Sequence, residues 1–148
     1  MREMPKRLQP PAPYGALLKC TPAAAPQRTR AETSKGGDDE DYLSQIRRLP
    51  CLYCGLEASE AAHVRFASAA FGKASGLGKK PEDRWAVPLC AEDHRLARHA
   101  QHNRGEEAFW EGIGINPLLV AERLWSQRFD FVAMYHVAVE AIATRSKK

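Results

Sequence analysis

An α+β fold is predicted by three observations. Three cysteines and three histidines crowd one stretch of about 50 residues, two short apolar runs within it resemble strands, and the chain beyond Cys90 is patterned as helix. The cluster is Cys51-Leu52-Tyr53-Cys54, then His63, then Cys90-Ala91-Glu92-Asp93-His94, with His99 just beyond. Thiolate and imidazole are the ligands zinc prefers, and a Cys-x2-Cys pair sits on a tight knuckle because two sulfurs must reach one ion from neighbouring backbone positions. Pro50 and Gly55 flank the pair with turn residues rather than an apolar period, so the cysteines do not read as ordinary small core residues. The expected architecture is a small strand–strand–helix unit built round a zinc knuckle and packed against C-terminal helices.

With 148 residues the chain holds one domain of ordinary size. Residues 1–40 are predicted to stay outside it as a disordered basic, Pro/Ala-rich arm, leaving 41–148 as the domain. The arm takes Pro5, Pro10, Pro11, Pro13, Pro22 and Pro26 of the ten prolines. Pieces such as Ala23-Ala24-Ala25-Pro26 and Gly36-Gly37-Asp38-Asp39-Glu40 carry no helical or strand period. No stretch before Pro50 is apolar enough for a signal peptide, and none later approaches the ~20 apolar residues of a membrane span, so a soluble, cytoplasmic protein is expected. Cys20 stands alone in the arm, and the cysteines are expected as free thiols of a reducing compartment, available to metal.

The elements follow in order. Pro50 to Glu57 reads as the knuckle and Ala61 to Phe66 as a short extended segment containing His63. Trp85-Ala86-Val87-Pro88-Leu89 is an apolar run that reads as a second strand, with Pro88 at an irregular or edge position. Glu92 to His102 reads as helix, its acidic first turn suited to the helix dipole. A short helix from Glu106 to Glu111 breaks at Gly112-Ile113-Gly114, and Asn116-Pro117 then caps a helix running to about Arg128. A last helix spans Asp130 to about Thr144, with Phe131, Met134, Tyr135, Ala138, Ala141 and Ile142 at helical spacing. That stripe, with Trp110 and Trp125, reads as core that buttresses a metal unit too small to bury much by itself.

Net charge is +4 with a pI near 9.0, a modest excess compatible with a nucleic-acid partner. Lys73, Lys79 and Lys80 lie in the glycine-rich stretch Phe71-Gly72-Lys73-Ala74-Ser75-Gly76-Leu77-Gly78-Lys79-Lys80, where backbone N–H and ammonium groups can both meet phosphate. Arg28, Arg30, Arg47 and Arg48 add non-specific positive charge. A redox role for Cys51-x2-Cys54 is disfavoured, because thioredoxin-like chemistry needs that motif at a helix start in a βαβ setting and no such setting precedes it.

Cys-x2-Cys, Ala62-His63-Val64-Arg65, the glycine-lysine loop, Lys80-Pro81-Glu82-Asp83-Arg84-Trp85-Ala86-Val87-Pro88-Leu89-Cys90, the histidine segment and Phe109-Trp110 followed by Gly114-Ile115-Asn116-Pro117 come in an order that resembles the HNH (ββα-metal) endonucleases. The closest likeness is to small phage and prophage HNH proteins, related to the RecA-dependent recombination-enhancement nucleases, and it covers about Leu49 to Trp125. The resemblance implies a DNA-cleaving fold in a bacterial or phage-infected cell. It further implies a hairpin histidine as general base, helix histidines holding a divalent ion, and DNA, with a recombinase filament, as partners. On that footing His63 is the expected base and Asp83 a residue that orients it or binds the ion through water. His94, His99 and His102 are the expected ligands of Mg²⁺ or Mn²⁺, and Arg65, Lys73, Lys79 and Lys80 the expected DNA contacts.

The chemistry is coherent. Phosphodiester hydrolysis needs a water stripped of its proton, which histidine can take near neutrality, and a cation to offset charge on the phosphate. Two alternatives stay open. The zinc knuckle is completed either by Asp93, as a Cys51-Cys54-Cys90-Asp93 site, or by His94. The module is either a nuclease or a catalytically silent zinc knuckle that binds DNA or a protein. On one continuous helix His99 would lie about 140° round from His94, and His102 within about 80°.

Overall fold

Asp39 starts the described fold: its side chain accepts from the Tyr42 N–H and caps α1 (Glu40–Ile46), whose Tyr42, Leu43 and Ile46 are buried. The computed structural model describes residues 39–58, 60–74 and 80–146. Residues 1–38 of the expected arm lie outside them; of the two remaining arm residues, Asp39 caps α1 and Glu40 is its first residue. All described residues fall in one compact unit, Ser34–Lys148.

The knuckle closes as an isolated bridge between Pro50 and Glu57, and Gly55, at φ +81, takes the left-handed turn within it. Two strands follow, β1 (Glu60–His63) and β2 (Ala86–Leu89), paired antiparallel in the register Glu60↔Leu89, Ala61↔Pro88, Ala62↔Val87, His63↔Ala86. Strand β1 ends earlier than the sequence suggested, for a visible reason. After Val64 N–H donates to Trp85, the next two N–H groups, of Arg65 and Phe66, donate to the Glu106 carboxylate instead of to a strand. Strand β2 is buried throughout, and Pro88 lacks only a donor, while its carbonyl accepts from Leu52 of the knuckle. Trp85 belongs to a 3₁₀ turn (Asp83–Trp85) rather than to the strand.

The expected helix from Glu92 to His102 is not continuous. The chain makes one π turn (Glu92–Leu96), leaves helical backbone at Ala97 (φ −73, ψ 159), and resumes as a single short helix, α2 (Gln101–Arg104). The Asn103 side-chain amide donates to the carbonyls of Arg95 and Ala97 and satisfies them where the helix is interrupted. Gly105, at φ +92, turns the chain into α3 (Glu106–Ile113). Asn116 accepts from Leu118 and Leu119 to cap α4 (Pro117–Ser126), and Asp130 accepts from Ala133 to cap α5 (Phe131–Thr144).

Helix α4 packs on β2 and on the 3₁₀ turn, and α5 packs on α4. Tyr42, Ile46, Leu49, Leu52, Val64, Val87, Leu89, Phe109, Leu118, Leu124 and Met134 form one core that reaches from the knuckle to the last helix. Trp110 is buried as expected, and Trp125 packs edge-on against Tyr42. On α5 the inner face is Met134, Ala138 and Ala141. Tyr135 is 46% exposed, because at about 100° per residue it lies well round from Met134. No described helix is long and apolar enough to cross a membrane.

Candidate metal centre and hairpin histidine

Four side chains from two segments converge beside the hairpin. Cys51 and Cys54 come from the knuckle, Cys90 from the end of β2, and Asp93 from the π turn; their ligand atoms all lie within 4.8 Å of one another. Cys51 Sγ is 3.3 Å and Cys90 Sγ 3.0 Å from Asp93 Oδ2, and Cys54 Sγ is 3.8 Å from Cys90 Sγ. Cys51 and Asp93 are buried, and Cys54 and Cys90 half-buried. Burial drives the Cys51 thiol far above its ordinary range, and burial with the neighbouring Asp93 pushes Cys90 up to about 11. Asp93 shifts the other way. Burial opposes its ionisation, but hydrogen bonds from Cys90, His99, Cys54 and Cys51 hold its carboxyl below the ordinary value. A positive ion among these four groups would stabilise the thiolates that burial disfavours, so the cluster can hold a metal.

Of the two candidates for the fourth position, the structure brings in Asp93. His94 turns away: its Nδ1 lies 2.6 Å from Glu60 Oε2, at the start of β1, and Glu60 is held from its other side by Arg95 at 2.8 Å. His102 packs edge-on against His94, with ring centroids 4.5 Å apart. Burial, with His94 and Arg65 nearby, lowers the pKa of His102. His99 joins neither histidine. Its Nε2 lies 2.8 Å from Asp93 Oδ1 and its ring stacks on Tyr53. The break at Ala97 is why the angular arithmetic of one helix does not carry over to His94, His99 and His102.

His63 occupies the last position of β1, opposite Ala86. Its Nε2 is 2.7 Å from Oδ1 of Asp83, and the Asp83 side chain is only 1% exposed against 18% for the histidine. The second Asp83 oxygen accepts from the backbone N–H of Asp39, and Lys80 Nζ stands 3.4 Å from the first. Asp83 therefore holds His63 directly. His63 and Glu60 are three positions apart on β1, so they project from opposite faces, about 10 Å apart along the strand. Among the described residues, His63, His94 and His102 do not form a cluster of three converging ligand atoms.

The expected DNA contacts separate as well. Lys73 is not offered to a ligand: it is 7% exposed, its ammonium donates to the carbonyls of Arg65 and Phe66, and burial lowers its pKa. Lys79 lies outside the described residues, and the side chain of Lys80 is 57% exposed. Arg65 is exposed. Arg48 lies over the Phe131 ring and so packs on α5. Sequence reasoning missed Glu60, Glu106 and Tyr53. Glu60 meets His94 across 34 residues, a separation that no local pattern reports.

A family model described as a protein of unknown function (DUF968) matches residues 24–124, more than half of the chain. The chain belongs to the DUF968 family. The DUF968 match takes in the four clustered ligands, the His63–Asp83 pair and all of His94 to His102, and stops short of α5. No curated protein and no solved structure matches the chain.

Proposed function

We propose that the chain is a metal-dependent endonuclease of the HNH type acting on DNA, with zinc in the Cys51-Cys54-Cys90-Asp93 knuckle and His63 as general base. The observation that carries this is the His63–Asp83 pair: a half-buried histidine on the hairpin, held at 2.7 Å by a carboxylate that is itself almost fully buried. A carboxylate accepts, so the Nε2 that faces it carries the hydrogen and Nδ1 keeps the lone pair able to take a proton from water. Asp83 thereby sets both the tautomer and the orientation of the ring. Zinc suits the knuckle because two sulfurs on a tetrahedral ion at about 2.3 Å stand about 3.8 Å apart, the separation seen between Cys54 and Cys90. The zinc supplies folding energy rather than chemistry.

For the Mg²⁺ or Mn²⁺ implied by the HNH resemblance, His94 and His102 are the nearest fit. Among the described residues, however, three ligand atoms converge only in the knuckle, and Arg95 already holds the Glu60 carboxylate. The convergence of three ligand atoms only in the knuckle, among the described residues, favours a second reading, a catalytically silent zinc module that binds DNA. Plasmid nicking decides between them. The nuclease predicts nicking by the wild type with Mg²⁺ or Mn²⁺, reduced ~10²-fold or more in a folded, zinc-replete His63→Ala variant. DNA binding without cleavage under any divalent metal leaves the silent module. Undiminished nicking by His63→Ala removes His63 as the base.

A further inference from the structure

A carboxylate is a less determinate ligand than a thiolate, since it has two oxygens and can rotate away or clamp an ion through both. In Asp93 each oxygen has its own partner. Oδ2 faces the sulfurs of Cys51 and Cys90 at 3.3 and 3.0 Å, while Oδ1 lies 2.8 Å from His99 Nε2. Asp93 is 4% exposed, so bulk water scarcely competes for Oδ1. Because a carboxylate can only accept, His99 donates from Nε2–H.

His99 is itself held in place. Its ring stacks on Tyr53 at a centroid distance of 4.7 Å and 18° between planes, and Tyr53 stacks in turn on Phe109 at 5.4 Å and 22°. Tyr53 lies between Cys51 and Cys54, and its carbonyl accepts from the Arg145 guanidinium just beyond α5. Helical continuity would not create the contact, because residues six apart on an α-helix lie about 120° from each other. The departure at Ala97, secured by Asn103, brings the ring back over Asp93.

We propose that His99 positions Asp93 as a one-oxygen ligand of the knuckle ion, with the Tyr53–Phe109 stack fixing the imidazole. This rests on the reading of the cluster as a metal centre. Hydrogen bonds to the outer atoms of metal ligands fix ligand orientation, and losing one commonly weakens metal binding ten- to a hundredfold. A Cys51-Cys54-Cys90-Asp93 centre depends on such a partner in a way that a four-cysteine centre would not.

The test uses the full chain loaded with zinc or with cobalt(II), with metal content, chelator competition and the cobalt absorption spectrum as readouts. His99→Phe keeps a ring to stack on Tyr53 but removes the donor, and His99→Gln keeps a donor without the ring. We expect His99→Phe to bind zinc about ten- to a hundredfold more weakly with shifted cobalt d–d bands, and His99→Gln to recover part of both. In an Asp93→Cys background, His99→Phe should change zinc affinity little, because the residue it positions is gone. Equal affinity and an unchanged spectrum for His99→Phe would overturn the proposal. So would an equal loss in the Asp93→Cys background, which would show that His99 does not act through Asp93. Should His99→Phe fail to fold, the same criteria apply to His99→Leu, which also lacks a donor, with and without Asp93→Cys. A wild-type chain that binds neither zinc nor cobalt removes the metal centre itself, an outcome distinct from any result on His99.

Discussion

Asp83 and His63 meet at 2.7 Å at the end of β1, the carboxylate almost wholly buried and the imidazole half-buried. Asp83 also accepts from the backbone N–H of Asp39, so one buried side chain ties the first described residue to the tip of β1.

Asp83→Ala leaves His63 and the Asp39 N–H without their partner. A loss of about 1–3 kcal/mol is expected for removing a buried, doubly bonded acceptor, measurable by urea or thermal denaturation. If His63 is the base, nicking falls along with it; His63→Ala strips the buried carboxylate of one partner and is expected to lower nicking at a comparable cost in stability, so its nicking is read on the folded, zinc-replete protein. Equal stability of Asp83→Ala and wild type would mean that Asp83 does not hold the hairpin.

Metal binding should release protons. With Cys51 and Cys90 both raised, the thiols keep their hydrogens until a cation displaces them, so affinity falls as pH is lowered from about 8 to about 6. Calorimetric titration of metal in two buffers of different ionisation enthalpy reads the proton count, and on the order of two to three per ion is expected. Cys51→Ser should lose the ion and loosen the hairpin. Retention of zinc and of the melting temperature in that variant would falsify the knuckle.

Glu60 gives an acid-side signature. Arg95 first, and His94 after it, hold its carboxyl below the ordinary 4.5, against the opposing effect of burial. Because the folded value is the lower one, the pairing stabilises the fold above the unfolded value and is lost as pH falls through the folded value. Glu60→Gln should therefore be less stable than wild type at about pH 7, and the difference should shrink as pH falls below the ordinary 4.5 and through the lowered folded value. A gap that stays constant with pH would show that packing, rather than charge, makes the contribution.

Lys73→Met should behave as a stability variant. Its ammonium serves the carbonyls of Arg65 and Phe66, so about 1–2 kcal/mol of stability is expected to go, with DNA affinity of the folded protein unchanged. Fluorescence anisotropy with a labelled duplex provides the check. A variant of full stability with several-fold weaker binding would return Lys73 to the DNA surface.

Much of this was legible in the residues. Cys51-x2-Cys54 between Pro50 and Gly55, the apolar run before Cys90, and the Asn116-Pro117 and Asp130 helix starts are local signals: turn residues, a side-chain cap, a short period. Each depends on atoms a few positions apart, and the knuckle, the two strands and the helices from Glu106 onward follow from them. The sequence by itself determined that thiols and imidazoles would crowd one hairpin.

Which of them touch was decided by the tertiary structure alone. Asp93 rather than His94 joins the cysteines because Glu60, at the start of β1 opposite Leu89, takes His94. His99 reaches Asp93 because the chain leaves its helix at Ala97, and Lys73 turns inward because two carbonyls after β1 need a donor. A periodic pattern records which face a residue would occupy on an unbroken element. It does not record where a buried carboxylate, an orphaned carbonyl or a metal-sized gap will break that element, since those demands come from groups far away along the chain.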